Sequence, residues 1–314
     1  MARIGKNPAK NYTEITRDNK LCVIIPVYIP NHVGYFKDSF EIFKMCLGSL
    51  HRSKSFQLNV AVILNGCSKS VIAFCEQEAQ EGRIDELIIL NKNIGKVNAI
   101  LKGVAGSDAE LFLVTDADVL FMNGFERVIY QFFSDQRAGF LGLQPVFGKS
   151  EYFTSWTRLL LIRNIRRVVS DSADSREHLR FQKSIGNEKI EDLKKISVVN
   201  IKGVDCVLGT GHFCFVTHRT TFDNIPKLYT EHFISRGTER TFLDQPSFFS
   251  GLLRLSVRTS VAMHMGNTIE PWMSKTFENI AKHDDAYKVN EIPIGKRRRL
   301  LFPKIVLRLV EKIF

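Results

Sequence analysis

Glu110-Leu-Phe-Leu-Val-Thr-Asp-Ala-Asp-Val-Leu-Phe121 is the stretch on which the reading of this 314-residue chain turns. Residues 111–114 form a short apolar run, of a length that suits a strand buried on both faces. The run leads into Asp116 and Asp118, with one residue between them. Two carboxylates at the end of a buried strand are desolvated and repel each other. A shared cation relieves both penalties, and carboxylate oxygens are the hard ligands that Mg²⁺ or Mn²⁺ prefers. In open α/β sheets, ligands bind beyond the carboxyl ends of the strands, which is where these acids fall. Taken alone, residues 115–118 also read as a polar turn, so the flanking chain decides.

Upstream, residues 21–25 (Leu-Cys-Val-Ile-Ile) are apolar and β-branched, a strand closed by Pro26. Residues 38–50 repeat Phe40, Phe43, Leu47 and Leu50 at helical spacing. A second strand at 58–64 ends in the turn Asn65-Gly-Cys-Ser68. A helix follows at 71–81, then a strand at 86–90, then Asn91-Lys-Asn-Ile-Gly95 and a helix at 96–104. Strands alternating with helices at this spacing predict right-handed βαβ units. The fold class is α/β: a single Rossmann-like, mostly parallel sheet flanked by helices. No Gly-x-Gly-x-x-Gly follows the first strand, and no Gly-Lys-Ser/Thr loop is present, which excludes a dinucleotide oxidoreductase and a P-loop enzyme.

Downstream, the pattern predicts a helix at 126–133, a strand at 140–146 and a helix at 156–169 carrying Arg158, Arg163, Arg166 and Arg167. Residues 171–195 are polar and mixed, readable as a helix pair or a mobile flap. Residues 198–208 alternate as a strand does, Gly209-Thr-Gly211 interrupts, and 212–216 resumes the apolar pattern. A turn or short helix fits 220–225. A helix fits 242–253, beginning near Asp244, and a strand fits 256–263, running into His264-Met-Gly-Asn267. The C-terminal stretch differs from the rest. Lys296-Arg-Arg-Arg299 precedes Leu301, Ile305, Leu309 and Ile313 at helical spacing, with Lys304, Arg308 and Lys312 interleaved. This basic amphipathic helix, 296–314, suits a membrane surface; the other reading packs it on the parent domain.

Composition bounds the rest. The chain is 44% hydrophobic and 25% charged, as ordinary globular proteins are, and its net charge of +11 calls for an anionic partner. The basic residues lack the interleaved aromatics of a nucleic-acid stacking platform, so no nucleic-acid partner is expected. Six cysteines form no Cys-x-x-Cys pair and read as buried free thiols of a reducing compartment. Residues 1–20 are a polar lead without an apolar signal core, and no run approaches the roughly 20 apolar residues that span a bilayer. The expectation is a cytoplasmic protein, peripheral on the inner face of the plasma membrane.

Four segments together resemble family 2 glycosyltransferases of the GT-A fold: Cys22-Val-Ile-Ile-Pro-Val-Tyr28; Asn93-Ile-Gly-Lys-Val-Asn-Ala99 with Gly103; Asp116-Ala-Asp118; and Gly209-Thr-Gly-His-Phe213 with Leu243-Asp244 and His264. The resemblance runs from about residue 21 to 267. It implies one GT-A domain over 21–295, with a nucleotide-sugar half (21–120) and an acceptor half (121–295). The implied activity is metal-dependent, inverting transfer of a sugar from a UDP- or GDP-linked donor to a glycan or polyprenol-linked acceptor, in cell-surface polysaccharide assembly. A nucleotidyltransferase is the alternative, but Pro26-Val-Tyr-Ile-Pro30 is not the Gly-rich basic loop such enzymes carry after strand one.

By the same resemblance, Asp116 lies near the ribose or the metal, and Asp118 holds Mn²⁺ or Mg²⁺ on the diphosphate. His264 falls where some relatives place a further ligand. Pro26, Tyr28, Asn65, Asn93 and Lys96 fall on the nucleotide side, Lys96 toward the diphosphate. Asn65 stands where relatives carry an acid that contacts the base. Asp244 is the candidate base, although Leu243 replaces the usual preceding Glu; Glu239 is the alternative, and an N-cap role suits Asp244 as well.

Overall fold

The computed structural model describes residues 21–55, 58–147, 155–223, 239 and 251–280. Asp244 with residues 242–250 of the expected helix, the 1–20 lead and the 296–314 tail lie outside the described residues. The protein is α/β, with a large central sheet whose order is β3-β2-β1-β4-β10-β6-β11-β9-β8-β7. Its amino-terminal half is built from β1 (Leu21–Val27), β2 (Asn59–Asn65), β3 (Glu86–Leu90) and β4 (Leu111–Thr115). These four strands pair in parallel. They are joined through α1 (Ser39–Ser53), α2 (Lys69–Gln80) and α3 (Lys96–Ala105).

The apolar runs of β1, β2 and β4 are explained by cover on both faces. In β1, Val23, Ile25 and Val27 pack with Phe43 and Leu47 of α1, while Cys22 and Ile24 pack with Ala99 and Ile100 of α3. Pro26 lies inside β1, opposite Ile63. All six cysteines are free thiols, and burial pushes Cys22, Cys46 and Cys75 up to about 12.

Beyond β4 the sheet turns antiparallel. β10 (Cys214–His218) is inserted between β4 and β6 (Ala138–Gly142), antiparallel to both. β11 (Leu253–Val257) runs parallel to β6; β9 (Val204–Val207), β8 (Lys195–Ile201) and β7 (Arg166–Val169) complete the edge as an antiparallel meander. The β8–β9 turn takes positive φ at both Lys202 (51°) and Gly203 (87°), the geometry that matches strand twist in a two-residue hairpin. A separate two-stranded ribbon pairs β5 (Val119–Phe121) with β12 (Ala262–His264). The remaining described helices are α4 (Phe125–Phe133), α5 (Ser155–Leu161), α6 (Ser172–Ser184), α7 (Arg219–Asp223) and α8 (Pro271–Ile280).

Several expectations are corrected. The helix expected over 156–169 ends at Leu161, and its second half is the strand β7, where β-branched Val168 and Val169 pair with Ile196 and Lys195. The strand expected over 256–263 is two strands in different sheets, and Leu253, expected at a helix end, begins β11. Residues 171–195 hold one helix, α6, closed by a capping box in which Asp171 accepts from Asp174 N (2.9 Å) and Asp174 accepts from Asp171 N (3.1 Å). Arg258 donates to both acids at 2.8 Å and pins the helix start to the sheet. Among the described residues no helix is long and apolar enough to cross a membrane.

One consequence for stability concerns His51, at the end of α1. Burial lowers its pKa to about 4, aided by Lys54, and its Nε2 is buried without a hydrogen-bond partner. The unfolded chain therefore takes up a proton that the folded chain refuses. Stability is full above pKa 6.5 and falls as pH drops from there toward 4. Denaturant unfolding of wild type should lose about 1–2 kcal/mol more than His51→Gln between pH 7 and 5; parallel curves would refute the assignment.

Candidate functional site

Asp116 and Asp118 follow β4 at the carboxyl end of the parallel half-sheet, where helix connections leave a crevice. Their backbone is fixed from two sides. Asp116 N donates to Phe213 O (2.6 Å), next to β10, and Met265 N, just past β12, donates to Asp118 O (2.7 Å). In the ribbon, Val119 pairs with His264, which sets the His264 side chain beside Asp118. Asp116, Asp118 and His264 each offer one ligand atom within 4.8 Å of the others. His264 Nε2 is 3.4 Å from Asp118 Oδ2. Asp118 Oδ1 is buried without a hydrogen-bond partner.

The electrostatics follow from this crowding. Burial raises the pKa of Asp118; His264 opposes the shift and Asp116 adds to it. Lys96 Nζ is 2.5 Å from Asp116 Oδ1 and 3.9 Å from Glu239 Oε1. Burial works against the Lys96 charge, but Asp116 and Glu239 outweigh it and the ammonium titrates above its ordinary value. Lys96 also donates to His212 O at 3.3 Å. The donor set of two carboxylates and an imidazole, with one carboxylate oxygen buried and unused, fits a divalent cation such as Mn²⁺.

The predicted nucleotide-side residues share one cleft of about 250 Å³, lined by Pro26, Tyr28, Asn65, Asn93, Lys96, Asp116 and Asp118 among others. Tyr28 is 42% exposed and meets the Phe36 ring edge-on. Asn65 and Asn93 interlock: Asn65 Nδ2 donates to Asn93 Oδ1 (2.9 Å), and Asn65 Oδ1 accepts from Ile94 N (2.9 Å). Asn93 Oδ1 also accepts from Gly95 N (2.8 Å) at the start of α3. Gly66, at φ +84°, makes the turn after β2 possible: a Cβ there would stand 2.8 Å from Asn93 N. Tyr35, Phe36 and Asn267 also line the cleft, with Asn267 Nδ2 donating to Tyr35 O (3.2 Å).

Three supporting side chains, Gln144, Phe181 and Ser184, escaped the sequence reading. Gln144 Oε1 accepts from His264 N (2.7 Å). Phe213 and Phe181 pack edge-on against the His264 ring, with centroids at 5.1 and 6.2 Å. Ser184, in the last turn of α6, donates its hydroxyl to Phe181 O (2.7 Å) and lies 2.9 Å from His264 Nδ1. The hydroxyl thus holds the ring nitrogen remote from Asp118 and leaves Nε2 facing the carboxylate. Ser184→Ala should weaken Mn²⁺ binding, read by electron paramagnetic resonance, about 10–100-fold, and Ser184→Thr should recover most of it. Equal affinity in all three proteins would remove Ser184 from the site.

No protein-family model matches the chain, and no curated protein matches it. Among solved structures, S. aureus TarS 1-349 in complex with UDP is 12% identical, over 83% of this chain and 64% of that one, with a TM-score of 0.43. S. aureus TarS is 11% identical over 83% and 39%, with a TM-score of 0.45. Mannosyltransferase PcManGT from Pyrobaculum calidifontis, in complex with GDP-Man and Mn²⁺, is 16% identical over 42% and 37%, with a TM-score of 0.32. This chain therefore spans less than two thirds of the length of each of these structures.

Proposed function

We propose that this chain is a metal-dependent, inverting glycosyltransferase of the family 2 type, moving a sugar from a UDP- or GDP-linked donor to a glycan or polyprenol-linked acceptor in polysaccharide assembly. The observation that carries the reading is the convergence of Asp116, Asp118 and His264 within 4.8 Å, with both acids lining the same cleft as Tyr28, Asn93 and Lys96. Asp118, His264 and Asp116 would hold Mn²⁺ or Mg²⁺. The bound ion neutralises charge on the leaving diphosphate. Pro26, Tyr28, Asn65 and Asn93 would line the nucleoside side, and Lys96 would meet the diphosphate.

Asp244 is the proposed base. Its carboxylate takes the proton of the acceptor hydroxyl as that oxygen bonds to the sugar C1 and the C1–O bond to the diphosphate breaks on the opposite face. Glu239, beside Lys96, is the competing carboxylate. In this reading 21–295 is one catalytic domain, donor half before acceptor half, and 296–314 is a helix on the inner membrane surface.

Thermal unfolding with UDP or GDP, with and without Mn²⁺, tests the donor site. Nucleotide at about 100 times its Kd should add roughly 2.7 kcal/mol of stability with metal and far less without. No metal-dependent stabilisation by either nucleotide would refute the reading, and a turnover panel of nucleotide sugars identifies the donor.

A further inference from the structure

We infer that the end of α5 and the edge strand β7 form a docking surface for an anionic lipid bilayer, separate from the catalytic reading and from the 296–314 tail. Residues 155–169 contain four arginines and no acidic residue. Arg163, Arg166 and Arg167 are exposed, and among the described residues none of them makes an ion pair. β7 is the outermost strand of the sheet, so one of its edges faces outward. In the ladder, Val169 lies opposite Lys195 and Arg167 opposite Ser197, which puts Arg167, Val169 and exposed Lys195 on one face of the hairpin. Ile162 and Val169 are 70% and 74% exposed.

Charge at a sheet edge has an ordinary explanation, because charged side chains keep an edge from pairing with another chain. That explanation does not cover the isoleucine and the valine. A soluble polyanion does not cover them either, since it offers no apolar layer. A bilayer supplies both halves of the match. Its phosphate headgroups suit guanidinium groups, which bind phosphate in bidentate fashion. Its acyl boundary takes the aliphatic chains.

Co-sedimentation of the full chain with phosphatidylcholine vesicles, with and without phosphatidylglycerol, tests the surface. Binding should require phosphatidylglycerol and fall with added salt. The triple variant Arg163→Gln/Arg167→Gln/Lys195→Gln should lower partition on the order of 100-fold, about fivefold per charge. Ile162→Ser/Val169→Ser should lower it about tenfold on the same vesicles. Both variants keep the tail and, being changed only at exposed positions, should melt with wild type. Unchanged partition in both overturns the proposal. Loss with the charge variant and none with Ile162→Ser/Val169→Ser overturns the two-layer match, because it leaves contact with the headgroups alone.

Discussion

Asp118→Asn is expected to lower kcat/KM for sugar transfer by about 10³-fold or more, while leaving the metal-free protein as stable as wild type or more so. The two halves of this result share one cause. Asp118 Oδ1 is buried with no hydrogen-bond partner, and the carboxylate stands beside Asp116. In the metal-free protein its charge is a desolvated liability, which is why burial raises its pKa. Removing the charge relieves the fold and removes one of the two proposed carboxylate ligands. Activity should be read with saturating donor and Mn²⁺, and stability by denaturant unfolding in chelator. An Asp118→Asn enzyme with wild-type turnover would sink the metal assignment, and marked destabilisation without metal would mean that the carboxylate serves the fold.

Gly209→Ala should destabilise the protein by about 3 kcal/mol and weaken nucleotide binding with it. A Cβ at Gly209 would fall 1.8 Å from the carbonyl oxygen of Val146. The obstacle is backbone, so no side chain can swing away and the 209–213 segment must move. That segment supplies His212 O to Lys96 and Phe213 O to Asp116 N. Its Phe213 ring also rests on His264. The displacement therefore reaches all three candidate ligands or their neighbours. Equilibrium unfolding and UDP titration on the same sample check both effects; a stable variant with intact affinity would show that the loop yields at little cost.

The parts of the fold visible in the sequence were those governed by local periodicity. The runs at 21–25, 58–64, 86–90 and 111–114 each became a parallel strand, and in β1, β2 and β4 cover on both faces demands continuous apolar chain. Legibility failed where partners distant in sequence decide. Nothing in Arg166–Val169 alone distinguishes a strand from the end of a helix; pairing with β8 does. Residues 171–195 gave no clear period because α6 buries little besides Asp174 and Phe181, and its anchor is Arg258, far along the chain. In the site, Asp116 and Asp118 announced themselves as charge at a strand end. Ser184 and Gln144 could not, since a serine in a polar helix and a glutamine after a strand are common everywhere and gain meaning only from His264.

The β5–β12 ribbon has an evolutionary consequence. Val119 and His264 are neighbours by backbone pairing, so the imidazole stays beside Asp118 whatever the length of chain between the two strands. That intervening chain includes most of the half assigned here to the acceptor. Insertions and deletions there are buffered from the ligand triad, provided that the rung survives. The rung itself is intolerant, because a slip of one residue would turn His264 to the other face of the ribbon. Under the proposed function, descendants of this architecture can thus diversify in their acceptor half while inheriting the Asp116, Asp118 and His264 cluster unaltered.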